Sequence, residues 1–383
     1  MINKERPYQI CNRCVMDTTD PDIIFDKNGV CNHCKRAELL MGAPPYSLDA
    51  ENKKKSLEKL VDEIKERGRG KKYDCIIGLS GGTDSTYVAY IVVNLGLRPL
   101  AVHLDNGWNS ELSVKNIENT VKNLGIDLYT YVIDWEEFKD LQMAFLKAST
   151  PDSEIPTDHA ICSALYQLAR KHNVNYILAG TNLGTESILP ASWSHGHSDW
   201  KYIKMIQKRF GSKKLKTYPH QSMIDLFIDV KLRKIKWIHI LNYLDYVKKD
   251  AVEIIEKDLG WRNYGGKHYE SIYTRLFQGY ILPNKFNFDK RRAHLSSLIM
   301  SGQLSREKAL EELKKNPYPS MELQEKDKEF FMDKFEIDED GFNKIMKSES
   351  KRFWDYPSYE KSNFWNCIKS IYYKVYKRNK NFL

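Results

Sequence analysis

The chain has 383 residues, 42% of them hydrophobic and 29% charged, and its formal net charge is +9. This composition excludes a disordered or collagen-like chain, and the length predicts roughly two domains. No apolar run approaches the ~18 residues of a membrane span, and the first residues lack the apolar core of a signal peptide, so we expect a cytoplasmic protein. The positive charge favours anionic partners such as nucleotides, RNA or nucleotide sugars.

Four cysteines near the start form two pairs, Cys11 with Cys14 and Cys31 with Cys34, each with two residues between its members. Two such pairs supply four thiolates that can close tetrahedrally around one zinc ion. The alternatives are two disulfides or four buried thiols, and a reducing cytoplasm argues against the disulfides. Because four sulfur ligands leave no open position for a catalytic water, the pattern predicts a structural zinc ribbon over residues 1–45.

Residues 57–250 alternate short apolar runs with helical patterns. The predicted strands are 74–79, 99–104, 128–133 and 176–179, and the predicted helices between them are 85–94, 114–124 and 160–172. Short buried strands separated by helices predict a doubly wound α/β domain whose parallel sheet is covered on both faces. In such a sheet, ligands bind at the carboxyl ends of the strands.

The remaining region, 251–383, is predicted to be mainly helical. Ser305 precedes a helical pattern over 306–315, and a second pattern covers 323–335. The aromatic tail 365–376 has apolar residues at helical spacing, and we expect it to be a helix docked on the core rather than a membrane-surface or partner helix.

A glycine-containing loop follows the first predicted strand and leads directly into a helix. Its residues are Ser80, Gly81, Gly82, Thr83, Asp84 and Ser85. Two glycines let the backbone approach an anion, and the helix N-terminus offers N–H groups to a phosphate. The alternative is an ordinary strand-to-helix turn that Ser and Asp cap, but the order of strand, loop and helix favours anion binding.

This Ser-Gly-Gly-x-Asp-Ser loop resembles the pyrophosphate-binding loop of the PP-loop ATP pyrophosphatases, which cleave ATP to AMP and pyrophosphate. The further ATP-binding residues that the resemblance implies are His103, Asp105, Gly180, Thr181 and Asn182. The segment after the fourth strand is similar to one in NAD synthetases, which implies magnesium held by Asp84 and Glu186. The alternative for Glu186 is a carboxylate that stabilises a helix N-terminus.

Residues 267–296 combine many cations and hydroxyl groups with aromatic residues. The candidates in this C-terminal cluster are Lys267, His268, Tyr269, Glu270, Arg275, Gln278, Lys285, Lys290, Arg291 and His294. Their variety predicts a site for a substrate with several oxygens and a negative group, since arginine matches carboxylate and phosphate. The alternative is a solvated basic face.

Together with the cysteine pairs and the PP-loop, this cluster resembles the N-acetyl sugar amidotransferase family over nearly the whole chain. The resemblance implies that ATP and ammonia convert a sugar acetamido group into an acetamidino group, in lipopolysaccharide O-antigen or nonulosonic acid biosynthesis. It implies an adenylated intermediate and release of AMP and pyrophosphate. The implied catalytic residues are Asp84, Lys267, His268, Glu270, Arg275 and His294, and the implied substrate-binding residues are Lys267, Tyr269, Arg275, Gln278, Lys285, Lys290 and Arg291.

The family resemblance also implies a separate glutaminase subunit that supplies ammonia, with a cyclase-like barrel protein as a further partner. We expect no nucleic acid partner. The alternative function is a zinc-ribbon enzyme that thiolates tRNA, but such enzymes usually need two active-site cysteines. Only Cys162 is placed near the predicted ATP site, and a single thiol makes that interpretation weaker.

Overall fold

A five-stranded parallel sheet lies at the centre of the protein, seen in a computed structural model that describes residues 6–266 and 269–359. The strands are β1 (Cys75–Gly78), β2 (Pro99–Asp105), β3 (Asp127–Val132), β4 (Tyr176–Ala179) and β5 (Lys236–His239). Their order across the sheet is β3-β2-β1-β4-β5, and every neighbouring pair is parallel. The chain adds β2 and β3 on one side of β1 and then crosses over to add β4 and β5 on the other side. Open α/β sheets bind ligands at such a switch point, which here lies between β1 and β4.

Helices cover both faces of the sheet, as predicted. Those up to β5 are α1 (Asn32–Met41), α2 (Ala50–Gly68), α3 (Thr83–Asn94), α4 (Glu111–Leu124), α5 (Trp135–Ala148), α6 (Ile155–Lys171), α7 (Leu183–Glu186), α8 (Trp200–Phe210) and α9 (Met223–Phe227, continued as a π-helix over Ile228–Leu232). Successive residues of β1 face opposite layers, because side chains alternate along a strand. Ile77 packs under α2, α3 and α4, whereas Ile76 packs under α6.

The first four predicted strands are confirmed, and β3 is the most exposed of them. This strand lies at the edge of the sheet, and 70% of Val132 is exposed. At the opposite edge, β5 was not predicted. Its sequence Lys-Trp-Ile-His is short, with polar residues at both ends of two apolar ones, so it carries neither a long buried run nor an alternating pattern.

The C-terminal region is helical, as predicted. Its helices are α10 (Lys248–Leu259), α11 (Ile272–Leu276, continued as a π-helix over Phe277–Phe286), α12 (Arg291–Met300), α13 (Arg306–Lys314), α14 (Met321–Phe335) and α15 (Glu339–Lys347), with 3-10 turns at Ile240–Tyr243 and Phe353–Asp355. Ser305 caps α13 by accepting a hydrogen bond from the Lys308 N–H. The predicted tail helix 365–376 lies outside the described residues. Within those residues, no helix has the length and apolar character needed to cross a bilayer.

The N-terminal cysteine unit packs on these C-terminal helices. The Arg306 side chain donates to the carbonyls of Cys11 and Cys14 at 2.9 and 3.0 Å, and the Val15 N–H donates to Ser296 Oγ at 3.2 Å. One apolar core contains the four cysteines together with residues of α5, α8, α12 and α14. The domain boundaries 1–45, 57–250 and 251–383 stay a prediction, and across them the packing is continuous.

Candidate active site

The loop after β1 has the geometry of an anion-binding site. Gly81 has a φ of +81°, a conformation that favours glycine, and Gly82 is the N-cap of α3 without a side-chain cap. The hydroxyls of Ser80 and Ser85 lie 3.1 Å apart, and Ser80 Oγ accepts from the Gly82 N–H. The N–H groups at the start of α3 are therefore not occupied by a capping side chain and are available to a phosphate.

Two aromatic residues that sequence reasoning missed hold this loop in place. The Gly81 carbonyl accepts hydrogen bonds from Trp261 Nε1 at 2.7 Å and from the Tyr264 hydroxyl at 2.9 Å. A Cβ on Gly81 would lie 2.8 Å from the carbonyl oxygen of Ser113 in α4, so this helix packs closely against the opposite side of the loop. The loop conformation is thus fixed before any ligand arrives.

Asp84 and Glu186, the two predicted magnesium ligands, lie near one phenol. The Tyr246 hydroxyl donates a hydrogen bond to Asp84, and burial together with the charges of Asp84 and Glu186 raises the pKa of Tyr246. Carboxylate oxygens beside a phosphate site have the donor chemistry that magnesium prefers. The donor chemistry of the pair suits the ion, and a magnesium role for Asp84 and Glu186 stays a prediction. The Tyr246 hydrogen bond would orient Asp84 in that role.

The residues after β2 and β4 line the same edge of the sheet. His103 donates from Nδ1 to the Leu79 carbonyl at 3.1 Å and accepts at Nε2 from Asn109, and burial lowers the pKa of His103. Asp105 accepts from Asn109 at 3.3 Å. A neutral histidine in this position connects the ends of β1 and β2, so it stabilises the site whether or not it contacts adenosine.

The segment after β4 packs directly on the start of α3. A Cβ on Gly180 would lie 3.0 Å from the carbonyl carbon of Asp84, so only glycine fits there. The Thr181 hydroxyl lies 2.6 Å from His239 Nδ1, and the Asn182 side chain accepts from the Thr185 N–H and caps α7. Thr181 and Asn182 thus shape the turn that carries Glu186.

The structure brings the C-terminal cluster to the PP-loop through Glu270. The Ser110 N–H donates to the Glu270 carbonyl at 2.9 Å, and a Cβ on Gly82 would lie 3.0 Å from Glu270 Oε1. Asn109 and Ser271 form an isolated antiparallel bridge beside this contact. Lys267 and His268, which were predicted to act here, lie outside the described residues.

Three predicted substrate-binding cations have protein groups as partners. Arg275 forms two hydrogen bonds to Asp327 at 2.6 and 2.7 Å, and Lys285 donates to the Ile345 carbonyl. Arg291 pairs with Asp289 at 2.7 Å. Arg291 also donates to the Glu312 carbonyl of α13 at 3.3 Å, so the observed contacts of all three cations connect helices. A substrate role at these three positions stays a prediction.

Two other predicted residues of the cluster are also accounted for within the protein. The Tyr269 hydroxyl donates to the Pro317 carbonyl at 2.7 Å, and the Tyr269 ring lies 5.8 Å from the Arg275 guanidinium. His294 lies half-buried on α12. A role in catalysis or substrate binding at these positions likewise stays a prediction.

Gln278 and Lys290 meet at a group of carboxylates that sequence reasoning missed. Glu154 Oε2 accepts from Gln278 at 2.8 Å and lies 3.2 Å from Lys290 Nζ. Asp152 and Asp158 lie nearby, and we call Asp152, Glu154, Asp158 and Lys290 the carboxylate cluster. Burial works to lower the pKa of Lys290, but the carboxylates raise it, so this lysine stays charged.

The four N-terminal cysteines fit a zinc ion. Their Sγ atoms all lie within 4.8 Å of one another, with separations of 3.9 Å for Cys11 and Cys34 and 3.7 Å for Cys14 and Cys31. A tetrahedron with zinc–sulfur bonds of about 2.3 Å has edges of about 3.8 Å. Within the described residues, this is the one group of three or more ligating side chains close enough to share a metal ion.

A parallel sheet with this loop after β1 defines a PP-loop nucleotide-binding domain. Residues 53–218 match the NAD synthase family, and residues 270–372 match the C-terminal domain of the WbpG-like lipopolysaccharide biosynthesis proteins. The chain therefore joins an NAD synthase-type PP-loop domain to a WbpG-like C-terminal domain. This confirms the resemblance to PP-loop amidotransferases and implies ATP-dependent formation of carbon–nitrogen bonds.

Individual relatives are more distant. An uncharacterized protein of Methanocaldococcus jannaschii is 24% identical over 319 residues, which is 81% of this chain and 94% of that protein. A glutamine-hydrolyzing GMP synthase of Pyrobaculum aerophilum is 35% identical over 83 residues, 21% of this chain and 16% of the synthase. Among solved structures, the NMN synthetase of Francisella tularensis is 17% identical with a TM-score of 0.28, over 56% of this chain and 94% of the synthetase.

Proposed function

We propose that this chain is an ATP- and ammonia-dependent amidotransferase that converts a sugar acetamido group into an acetamidino group for a surface polysaccharide. The observation that carries the proposal is the position of Glu270. This residue begins the WbpG-like match and lies against Gly82 of the PP-loop. A sugar bound by the C-terminal domain would therefore lie next to ATP bound at the loop.

The proposed reaction has two steps. The carbonyl oxygen of the acetamido group attacks the α-phosphorus of ATP, which forms an imidoyl adenylate and releases pyrophosphate. The nitrogen of ammonia then attacks the imidoyl carbon, and the carbon–oxygen bond to AMP breaks. Adenylation is needed because an amide oxygen is a poor leaving group.

The residues of the loop act mainly on the first step. Its N–H groups and hydroxyls bind the departing pyrophosphate, and their fixed geometry makes them effective where negative charge develops. Asp84 and Glu186 would hold magnesium, which supplies further positive charge to the leaving phosphates. Tyr246 keeps Asp84 oriented toward the loop.

We propose that ammonia comes from a separate glutaminase subunit, acting with a cyclase-like barrel protein. The two family matches are to NAD synthase and to the C-terminal domain of lipopolysaccharide biosynthesis proteins, and neither matched family is described as a glutaminase. The isolated chain should form product with ammonium chloride and none with glutamine. Product formation from glutamine by the isolated chain would contradict this proposal.

A substrate panel tests the main proposal. The chain is incubated with ATP, magnesium, ammonium and nucleotide-linked or free acetamido sugars, and the products are read by mass spectrometry. We expect AMP, pyrophosphate and a sugar that has exchanged one oxygen for an NH group and gained a positive charge. Sulfur transfer to tRNA without any change in the sugars would instead support the thiolation enzyme.

A further inference from the structure

We infer that Asp158 accepts the proton that ammonium must lose before its nitrogen attacks the adenylated acetamido carbon. The inference rests on the proposed function and adds a residue to it. Asp158 lies in the first turn of α6, a helix that packs under β1, β2 and β4. Thr157, its neighbour, lies 3.4 Å from the side-chain amide of Asn106, the residue directly after β2. Asp158 is thus placed at the ligand-binding edge of the sheet.

The side chain of Asp158 is accessible although buried groups surround it. Asp158 is exposed, whereas Asp152, Glu154 and Tyr218 are buried. Within the described part of the chain, the Asp158 carboxylate forms no hydrogen bond or ion pair, in contrast to Glu154, which binds Gln278 and Lys290. A small cation that enters from solvent can therefore reach Asp158 without displacing a protein contact.

The charges around Asp158 come from several elements. Asp152 and Glu154 precede α6, Lys290 precedes α12, and Glu186 ends α7. Cys162 lies one turn further along α6, and Tyr218 belongs to the loop before α9; burial raises the pKa values of both, so both are neutral at physiological pH. Four carboxyl groups surround a single lysine here, and burial raises the pKa of Asp152 as well. This surplus of acidic groups over basic ones favours a cation such as ammonium.

These surroundings also raise the proton affinity of the Asp158 carboxylate. Although the Asp158 side chain reaches solvent, the protein atoms packed densely around it reduce its solvation. This desolvation, followed by the charges of Glu154 and Asp152, raises the pKa of Asp158 to about 8. A carboxylate with this affinity can take a proton from ammonium at neutral pH, which an ordinary aspartate does poorly. The N-terminus of α6 favours the ionised form, so the group can also lose the proton again.

The proton and electron balance of the step is simple. The ammonium N–H bond breaks, its proton goes to Asp158, and the freed lone pair forms the new nitrogen–carbon bond. The carbon–oxygen bond to AMP then breaks, and its electron pair leaves with the AMP oxygen. Asp158 returns its proton to solvent through the accessible side of the cluster.

The test compares Asp158→Asn with the wild type and with Asp62→Asn, a control at an exposed position on α2. Sugar-dependent exchange of pyrophosphate into ATP, measured without ammonia, reports adenylation alone. We expect Asp158→Asn to keep this exchange near the wild-type rate but to lose about 10²–10⁴-fold in amidine formation with ammonium at neutral pH. The control variant should retain both activities.

Hydroxylamine distinguishes proton removal by Asp158 from any other role of this residue. It is already unprotonated at neutral pH, so it needs no base before it attacks. We expect Asp158→Asn to use hydroxylamine at close to the wild-type rate, and its rate with ammonium to rise with pH as free ammonia accumulates. Equal losses with both nucleophiles, loss of the exchange reaction, or unchanged use of ammonium would each overturn the inference. If the wild-type protein shows no sugar-dependent exchange of pyrophosphate into ATP, the proposed function itself is contradicted. Should the Asn variant not fold, Asp158→Ser takes its place.

Discussion

Arg275 shows why a residue type alone does not define a role. Its guanidinium binds both oxygens of Asp327, which is 3% exposed and also accepts from the Tyr318 hydroxyl at 2.5 Å. These partners are 52 and 43 residues away in the chain, so no local pattern could have revealed the ion pair. The sequence indicated a cation that matches a carboxylate, and the carboxylate is one of the protein's own.

We expect Arg275→Ala to destabilise the protein, because it leaves Asp327 buried without its partner. The loss in the free energy of unfolding should be about 3–5 kcal/mol, measured by urea denaturation. Arg69→Ala, which breaks an exposed pair with Glu66, should cost less than about 1 kcal/mol. An Arg275→Ala variant of wild-type stability that loses only sugar binding would contradict this account.

Asp84→Ala should remove adenylation and leave the fold intact. Asp84 lies in the first turn of α3 at the open edge of the sheet, with Tyr246 as its hydrogen-bond partner. We expect pyrophosphate release to fall by about 10²–10³-fold or more, as for removal of a preorganised electrostatic group. Tyr246→Phe should cause a smaller loss. Circular dichroism and melting curves check that both variants fold.

His159 makes stability depend on pH. It donates from Nδ1 to the His197 carbonyl at 2.6 Å and accepts from the Gln221 N–H at 3.2 Å, and burial lowers the pKa of His159 to about 4. The unfolded chain therefore binds a proton near pH 6.5, whereas the folded chain does not until about pH 4. The free energy of unfolding should be highest above pH 6.5 and fall as the pH drops toward 4. His159→Gln should reduce this slope, and an unchanged slope would contradict the assignment.

The local sequence pattern predicted helices and strands correctly wherever their buried residues recur at regular spacing. The first four strands, the helix after the PP-loop and the capped α13 follow from short apolar runs and cap residues. β5 and the carboxylate cluster did not follow from local pattern. Edge strands expose polar residues, and the cluster joins residues at the start of α6 to Lys290, which directly precedes α12. The contact between Glu270 and Gly82 likewise depends on tertiary packing.

Zinc should stabilise more than the N-terminal ribbon, because Arg306 of α13 binds carbonyls within the first cysteine pair. We expect one zinc per chain by metal analysis, and we expect Cys11→Ser to lower zinc content and the melting temperature of the whole protein. Cys162→Ser changes a cysteine outside the group of four zinc-binding candidates, so this variant should keep its zinc. Protein that lacks zinc yet melts normally, or that holds iron, would contradict this assignment.

The central feature of the whole molecule is the interface between the PP-loop domain and the C-terminal helices. The loop after β2 and the residues around Glu270 are hydrogen-bonded to one another, and the cysteine unit packs on the same helices. In the proposed reaction, this arrangement would place the sugar amide beside the α-phosphate of ATP. The proposed reaction requires a direct bond between the sugar oxygen and AMP.

That bond is tested most directly with an acetamido sugar that carries oxygen-18 in its carbonyl group. The chain is incubated with this sugar, ATP, magnesium and ammonium, and AMP, pyrophosphate and sugar are analysed by mass spectrometry. We expect one oxygen-18 atom in each AMP formed and none in pyrophosphate. Label that stays in the sugar, or that appears in inorganic phosphate together with ADP, would contradict it.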